Sequence, residues 1–231
     1  MKTIGLLGGM SWESTVTYYR AINEGVKNAL GGLHSAKIAM YSVDFEPIEK
    51  LQHAGNWDDM ATILSDAALG IQAAGADFLL IGTNTMHKVA PQIEAAIDIP
   101  LLHIADAIAQ ALIEQQIHTV GLLGTAFTME QDFYSGRLNQ KYGLNVLIPD
   151  EHDRKLVHQV IYEELCLGTV ADASKTEYLR IIQALSERGA EGIILGCTEI
   201  GMLIKQTDTD VKLFDSTVVH AAKAVDYALE K

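Results

Sequence analysis

The chain has 231 residues, 48% hydrophobic and 20% charged, with a formal net charge of −13. This is ordinary globular composition with enough length for a sizeable core, so long disordered stretches are excluded. The negative balance repels nucleic acid and anionic membrane surfaces, and no apolar run is long enough for a membrane span, so neither partner is expected.

Met1 to Gly9 carries one lysine and a short apolar run, too short for a secretory signal, so Ile4 to Leu7 reads as a first strand. From Trp57 to Ala74, Met60, Ile63, Leu64, Ala67, Ala68 and Ile71 recur at three- and four-residue spacing, which predicts an amphipathic helix. Phe78 to Ile81 is apolar at every position, as in a strand covered on both faces, and so is Ile193 to Leu195. These elements repeat. Gly5-Leu6-Leu7-Gly8 returns as Gly121-Leu122-Leu123-Gly124 at an offset of 116 residues. Gly75-Ala76-Asp77 and the strand after it return as Gly189-Ala190-Glu191 and its strand at an offset of 114. Pro100-Leu101-Leu102-His103 resembles Lys212-Leu213-Phe214-Asp215 at an offset of 112. Three matches in one order at nearly one spacing indicate a duplicated unit. Alternating strands and helices then give an α/β fold of two pseudo-symmetric halves, each a doubly wound parallel sheet. Ligands of such sheets bind beyond the carboxyl ends of the strands, which places the expected site in a cleft between the halves.

The two cysteines are Cys166 and Cys197, without a Cys-x-x-Cys or His-Glu-x-x-His motif, so no metal site is expected. Two thiols behind no secretory signal fit a reducing compartment, and a cytoplasmic location is expected. The duplication puts Gly82-Thr83-Asn84-Thr85 and Gly196-Cys197-Thr198-Glu199 at equivalent strand ends. Inverting a stereocentre by proton transfer needs a base on one face and an acid on the other, and Thr83 and Cys197 are the candidates. A helix start after Cys197 would lower its thiol pKa. The plainer readings are a small buried hydrophobe for Cys197 and a helix-capping hydroxyl for Thr83. Met10 and Ser11 follow the first strand, where backbone N–H groups could hold a carboxylate, or simply form a tight turn. Gly5-x-x-Gly8-Gly9 does not fit the dinucleotide fingerprint.

Gly8-Gly9-Met10, Thr83-Asn84-Thr85-Met86-His87 and Gly196-Cys197-Thr198-Glu199 together resemble the signatures of the aspartate/glutamate racemases, over essentially the whole chain. The resemblance implies an amino-acid racemase that needs neither pyridoxal phosphate nor metal nor any other cofactor, takes a small amino acid as substrate and works as a homodimer. It assigns Cys197 the proton of the L-enantiomer. The family usually has cysteine where Thr83 stands, so Thr83 should be the weaker base, with kcat and KM lopsided between enantiomers while kcat/KM stays equal. Met10, Ser11, Asn84, Thr85, Thr125 and Thr198 are expected to bind the substrate's amino and carboxylate groups, and Gln52 its side chain. Glu199 and His87 are expected to orient the loops or tune Cys197, although a satisfied core histidine is an ordinary fate for His87. Cys166 stands where some relatives have a side-chain-binding lysine, and neither Lys50 nor Lys88 can be placed as a substitute. The family's last helix packs back on the first half, so the first domain is expected over residues 1–99 plus 207–231 and the second over 100–206. Two other readings stay open. One is a related reaction on the same scaffold, of the maleate isomerase, hydantoin racemase or arylmalonate decarboxylase kind. The other is an amino-acid-binding pseudo-enzyme.

Overall fold

The computed structural model describes residues 1–230. The chain divides into two compact units: Met1–Ile104 joined by the chain from His220 onward, and Ala105–Val219.

The first unit runs β1 (Ile4–Gly8), α1 (Trp12–Leu30), β2 (Ile38–Ser42), α2 (Phe45–His53), α3 (Trp57–Ala73), β3 (Phe78–Ile81) and α4 (Ala90–Ala96). Its sheet is wholly parallel in the order β2-β1-β3, and Leu101 adds a parallel bridge to Leu79 on the outer side of β3. Strand residues alternate between two cores, as their period of two requires. Leu7, Leu79 and Ile81 pack with Met60, Leu64, Ala67 and Ile71 of α3. Ile4, Leu6, Phe78 and Leu80 pack with Tyr18, Ile22 and Val26 of α1 and with Ala221, Ala224 and Val225 near the carboxyl terminus. A sheet covered on both faces explains why its strands are apolar at every position. Gly5 is forced by crowding: a Cβ there would lie 2.7 Å from both the Phe78 carbonyl oxygen and Ile71 Cγ2.

The second unit follows with α5 (Ile104–Glu114), β4 (Thr119–Leu123), α6 (Ala126–Glu130), α7 (Asp132–Tyr142), β5 (Asn145–Leu147), α8 (Glu151–Glu163), α9 (Asp172–Glu187), β6 (Ile193–Leu195), α10 (Ile200–Leu203), β7 (Leu213–Asp215) and the first turn of α11 (Ser216–Leu229), whose remainder from His220 belongs to the first unit. Its parallel sheet has the order β5-β4-β6-β7. With the Leu101 bridge counted, this is the strand order of the first unit. The two ladders start alike. Asp77 N–H donates to Thr3 O at 2.8 Å, and Glu191 N–H to Thr119 O at 2.9 Å. The Asp77 carboxylate accepts from the Thr3 N–H at 2.5 Å, and the Glu191 carboxylate from the Thr119 and His118 N–H groups at 3.2 and 2.7 Å. The units exchange after Ile104 and Val219, beyond the boundaries at 99 and 206 expected from the sequence. The reason is strand pairing: β7 lies beside β6, while the chain beyond His220 packs on the first sheet and accepts the Lys2 N–H at Ala228 O.

Candidate functional site

In the first unit, Thr83 follows β3, one residue after the Gly82 N–H closes on Leu7 O at 2.8 Å. Thr83, Asn84 and Thr85 are all buried, and Thr85 opens a 3-10 turn running to Val89. His87, in that turn, is buried at 2% exposure. The Ile104 N–H donates to His87 Nε2 at 3.2 Å, which fixes the ring proton on Nδ1. Nδ1–H then donates to the Thr83 carbonyl at 2.8 Å. Met10 and Ser11 are buried at the end of β1. Ser11 is the N-cap of α1: its hydroxyl accepts from Ser14 N–H, and its carbonyl accepts from the Ser14 and Thr15 hydroxyls at 3.0 and 2.8 Å. Gln52 is 1% exposed, on the inner side of α2.

In the second unit, Cys197 is half-buried two residues beyond β6, after the Gly196 N–H closes on Leu123 O at 2.6 Å. Its thiol donates to Glu199 Oε2 at 2.9 Å, and the Thr198 hydroxyl donates to the same oxygen at 2.8 Å. Burial pushes the Cys197 thiol well above its usual value, and the charges of Glu199 and Cys166 push it further. This corrects the expectation of a lowered thiol pKa. The helix that follows has only four residues, and the group nearest the sulfur is an anion. Cys166 is half-buried in the 3-10 turn Leu165–Leu167, close enough for its charge to act on Cys197. Thr125 is the N-cap of α6 and accepts from Thr128 N–H at 3.3 Å. Of the residues expected to bind substrate, Ser11 and Thr125 thus cap helices and Thr198 is bonded to Glu199.

Sequence reasoning missed Ser216, His220 and Tyr178. The fully buried Ser216 hydroxyl donates to Leu195 O at 2.7 Å, fixing the strand end just ahead of Cys197. His220 Nε2–H donates to Leu102 O and its Nδ1 accepts from Tyr18 O–H, at 2.8 and 2.9 Å; burial lowers its pKa to about 4. Tyr178 donates to Val157 O at 3.0 Å and feels the charges of Cys197, Glu164 and Cys166, which with burial raise its pKa well above normal. Nothing local in the sequence marks these three, because each partner lies 21 or more residues away. Lys50 is an exposed partner of Glu46 at 2.7 Å, and Lys88 Nζ lies 3.8 Å from the Trp57 ring centroid. Among the described residues, Asp150, His152 and Asp153 bring possible metal-ligand atoms within 4.8 Å of one another. Asp150 caps α8, however, and Asp153 holds Arg180 at 2.5 Å.

Two parallel α/β units of one strand order, with a thiol–carboxylate pair at one strand end and a hydroxyl at the equivalent one, define the class. The chain belongs to the Asp/Glu/Hydantoin racemase family, whose profile matches residues 7–224. A crystal structure from Yersinia pestis, provisionally described as an Asp/Glu racemase, is 55% identical over 100% of both chains with a TM-score of 0.93. An aspartate racemase homologue from Pyrococcus horikoshii is 34% identical over 100% of both chains with a TM-score of 0.86. The broad specificity amino-acid racemase RacX of Bacillus subtilis is 23% identical over 96% of each chain. Family and relatives support a racemase, an isomerase acting without net oxidation or transfer. No helix among the described residues is long and apolar enough to cross a membrane.

Proposed function

We propose that the protein interconverts the L- and D-forms of aspartate, glutamate or a similar small polar amino acid without a cofactor, with Cys197 on one face of Cα and Thr83 on the other. The observation that carries this reading is the Cys197 thiol bonded to Glu199 at 2.9 Å on the loop that ends β6. A thiol whose pKa is raised is protonated at rest, so it needs an acceptor to become a base. Glu199 is that acceptor: it takes the thiol proton, the thiolate takes the Cα proton of the L-substrate, and a proton returned to the opposite face of the carbanion gives the D-isomer. Thr83 serves that second face directly or through a water. The reading rests on the matched ladder bonds of Gly82 and Gly196, which put Thr83 and Cys197 at equivalent strand ends.

Met10, Ser11, Asn84, Thr85, Thr125 and Thr198 are proposed to hold the α-carboxylate and amino groups, Gln52 the side chain, and Cys166 to line the same region. Lys50 is engaged by Glu46, and Arg137, Arg154 and Arg180 of the second unit are engaged by Asp106, Glu130 and Asp153. This favours neutral or short side chains alongside the acidic ones. The homodimer and the cytoplasmic location belong to the same proposal and rest on the family resemblance and on a chain whose two cysteines, Cys166 and Cys197, form no disulfide.

The test is proton NMR of L-Asp, L-Glu and L-homoserine in D₂O with enzyme, reading α-proton loss and chirality in one sample. Loss of the α-proton with formation of the D-isomer supports the two-face scheme. Loss with retained L-configuration leaves Cys197 working alone. No exchange with any of them overturns the substrate assignment and moves a related isomerase or a binding protein ahead.

A further inference from the structure

The buried histidines of the first unit sit where the chain leaves that unit and where it returns. Ile104 is the last residue before the second unit, and His220 is the first residue after it. His87 takes the Ile104 N–H on Nε2 and gives its Nδ1–H to the Thr83 carbonyl, so one imidazole spans the exit point and the Thr83 loop. His103 lies against it with ring centroids 4.4 Å apart, and the His220 ring is 6.1 Å away. His220 in turn fixes Leu102 O, two residues before the exit. Both ring nitrogens of His87 are used, one as acceptor and one as donor. The ring is therefore a rigid neutral strut that cannot exchange its two partners without losing both bonds. The bond to Thr83 needs a donor at the Nδ1 position, and the bond to Ile104 needs an acceptor at the Nε2 position.

We propose that His87 is a positioning residue for the second-face step: by holding the Thr83 carbonyl against the backbone at the chain's exit, it sets where the Thr83 hydroxyl is presented. This rests on the reading that Thr83 serves the face opposite Cys197. A hydroxyl that must pass a proton in the transition state tolerates little displacement, so loosening its loop slows that step more than the Cys197 step.

The test uses the two amide replacements. Asparagine places its amide nitrogen where Nδ1 stands, and glutamine places its amide oxygen where Nε2 stands. His87→Asn keeps the Thr83 bond, and His87→Gln keeps only the Ile104 bond. α-Proton exchange in D₂O is measured from both enantiomers, beside Thr83→Ala and with the Tm of each variant. The expected result is that His87→Gln lowers exchange from the D-enantiomer about tenfold while exchange from the L-enantiomer changes less than about twofold, and that His87→Asn recovers most of the loss. The ¹⁵N shifts of the wild-type ring should report the Nδ1–H tautomer. Equal losses from both enantiomers in both variants, tracking the fall in Tm, overturn the proposal and leave His87 a core histidine. An Nε2–H tautomer overturns it as well. If Thr83→Ala lowers exchange from the D-enantiomer and His87→Gln does not, this proposal alone fails. If Thr83→Ala changes nothing, the second-face reading fails and this one with it.

Discussion

The loops that end β3 and β6 share a backbone and differ in chemistry. Each begins with a glycine whose N–H extends the ladder to the neighbouring strand, Gly82 to Leu7 and Gly196 to Leu123. Beyond that point the first loop is held through its main chain, by His87 on the Thr83 carbonyl, while the second is organised around a side chain, by Glu199 on the Cys197 thiol. Duplication supplied two copies of one scaffold. The His87 imidazole, with both ring nitrogens hydrogen-bonded, orients the first loop, and the Glu199 carboxylate stands beside the thiol of the second.

The sharpest way to break this comparison is to remove each hydroxyl or thiol in turn. Cys197→Ala should reduce racemisation about 10³-fold or more, and Thr83→Ala about 10²-fold, read as D-isomer formed from L-substrate. Equal losses would mean the two loops are chemically as well as structurally equivalent.

The next effect concerns the histidine scaffold. His220 stays neutral in the folded protein down to about pH 4, whereas in the unfolded chain it takes a proton near its ordinary value of 6.5. The unfolded state therefore binds more protons between those values, and stability falls as pH drops from about 6.5 to about 4, by about 3 kcal/mol in all. His220→Gln, which can keep the bond to Leu102 O, should flatten the Tm–pH curve across that window. An unchanged slope would assign the acid sensitivity to another group.

The shared backbone device predicts a graded pair. A Cβ at Gly196 would lie 2.7 Å from Leu122 Cδ1 and 2.9 Å from Leu123 O, while one at Gly82 would lie 3.2 Å from Leu7 O. Gly196→Ala should cost about 2–3 kcal/mol and Gly82→Ala about 1 kcal/mol in urea unfolding. Equal costs would say that the second loop yields as easily as the first.

The smallest change is electrostatic. Glu199→Gln removes the anion beside the sulfur, so the Cys197 pKa should fall, though burial, the largest cause of its elevation, remains. Thiolate absorbance against pH in a Cys166→Ala background would read it, and an unmoved or raised midpoint would mean that Glu199 does not govern the thiol.

Much of this was legible in the chain. The three repeated segments gave two parallel sheets with apolar strands, and the helix read from Trp57 onward is α3. Thr83 and Cys197 could be placed at matching strand ends because the repeat spacing carries the register directly. The thiol's environment could not be read. Glu199 is only two residues from Cys197, but whether its carboxylate meets the sulfur depends on side-chain direction at the start of a four-residue helix. The caps at Ser11 and Thr125 look in sequence like ligand-binding hydroxyls, because helix capping and substrate binding draw on the same residue types.

Local periodicity and duplication thus determined the elements, their order and the positions of the two strand-end groups, because these depend on patterns of burial that repeat along the chain. Tertiary structure alone decided the partners of the buried polar groups. His220 finds Tyr18 across 202 residues and Leu102 across 118, and Ser216 finds Leu195 across 21. Such bonds form because folding removes these groups from water and leaves each to be satisfied by whatever the packing brings beside it, which no local pattern encodes.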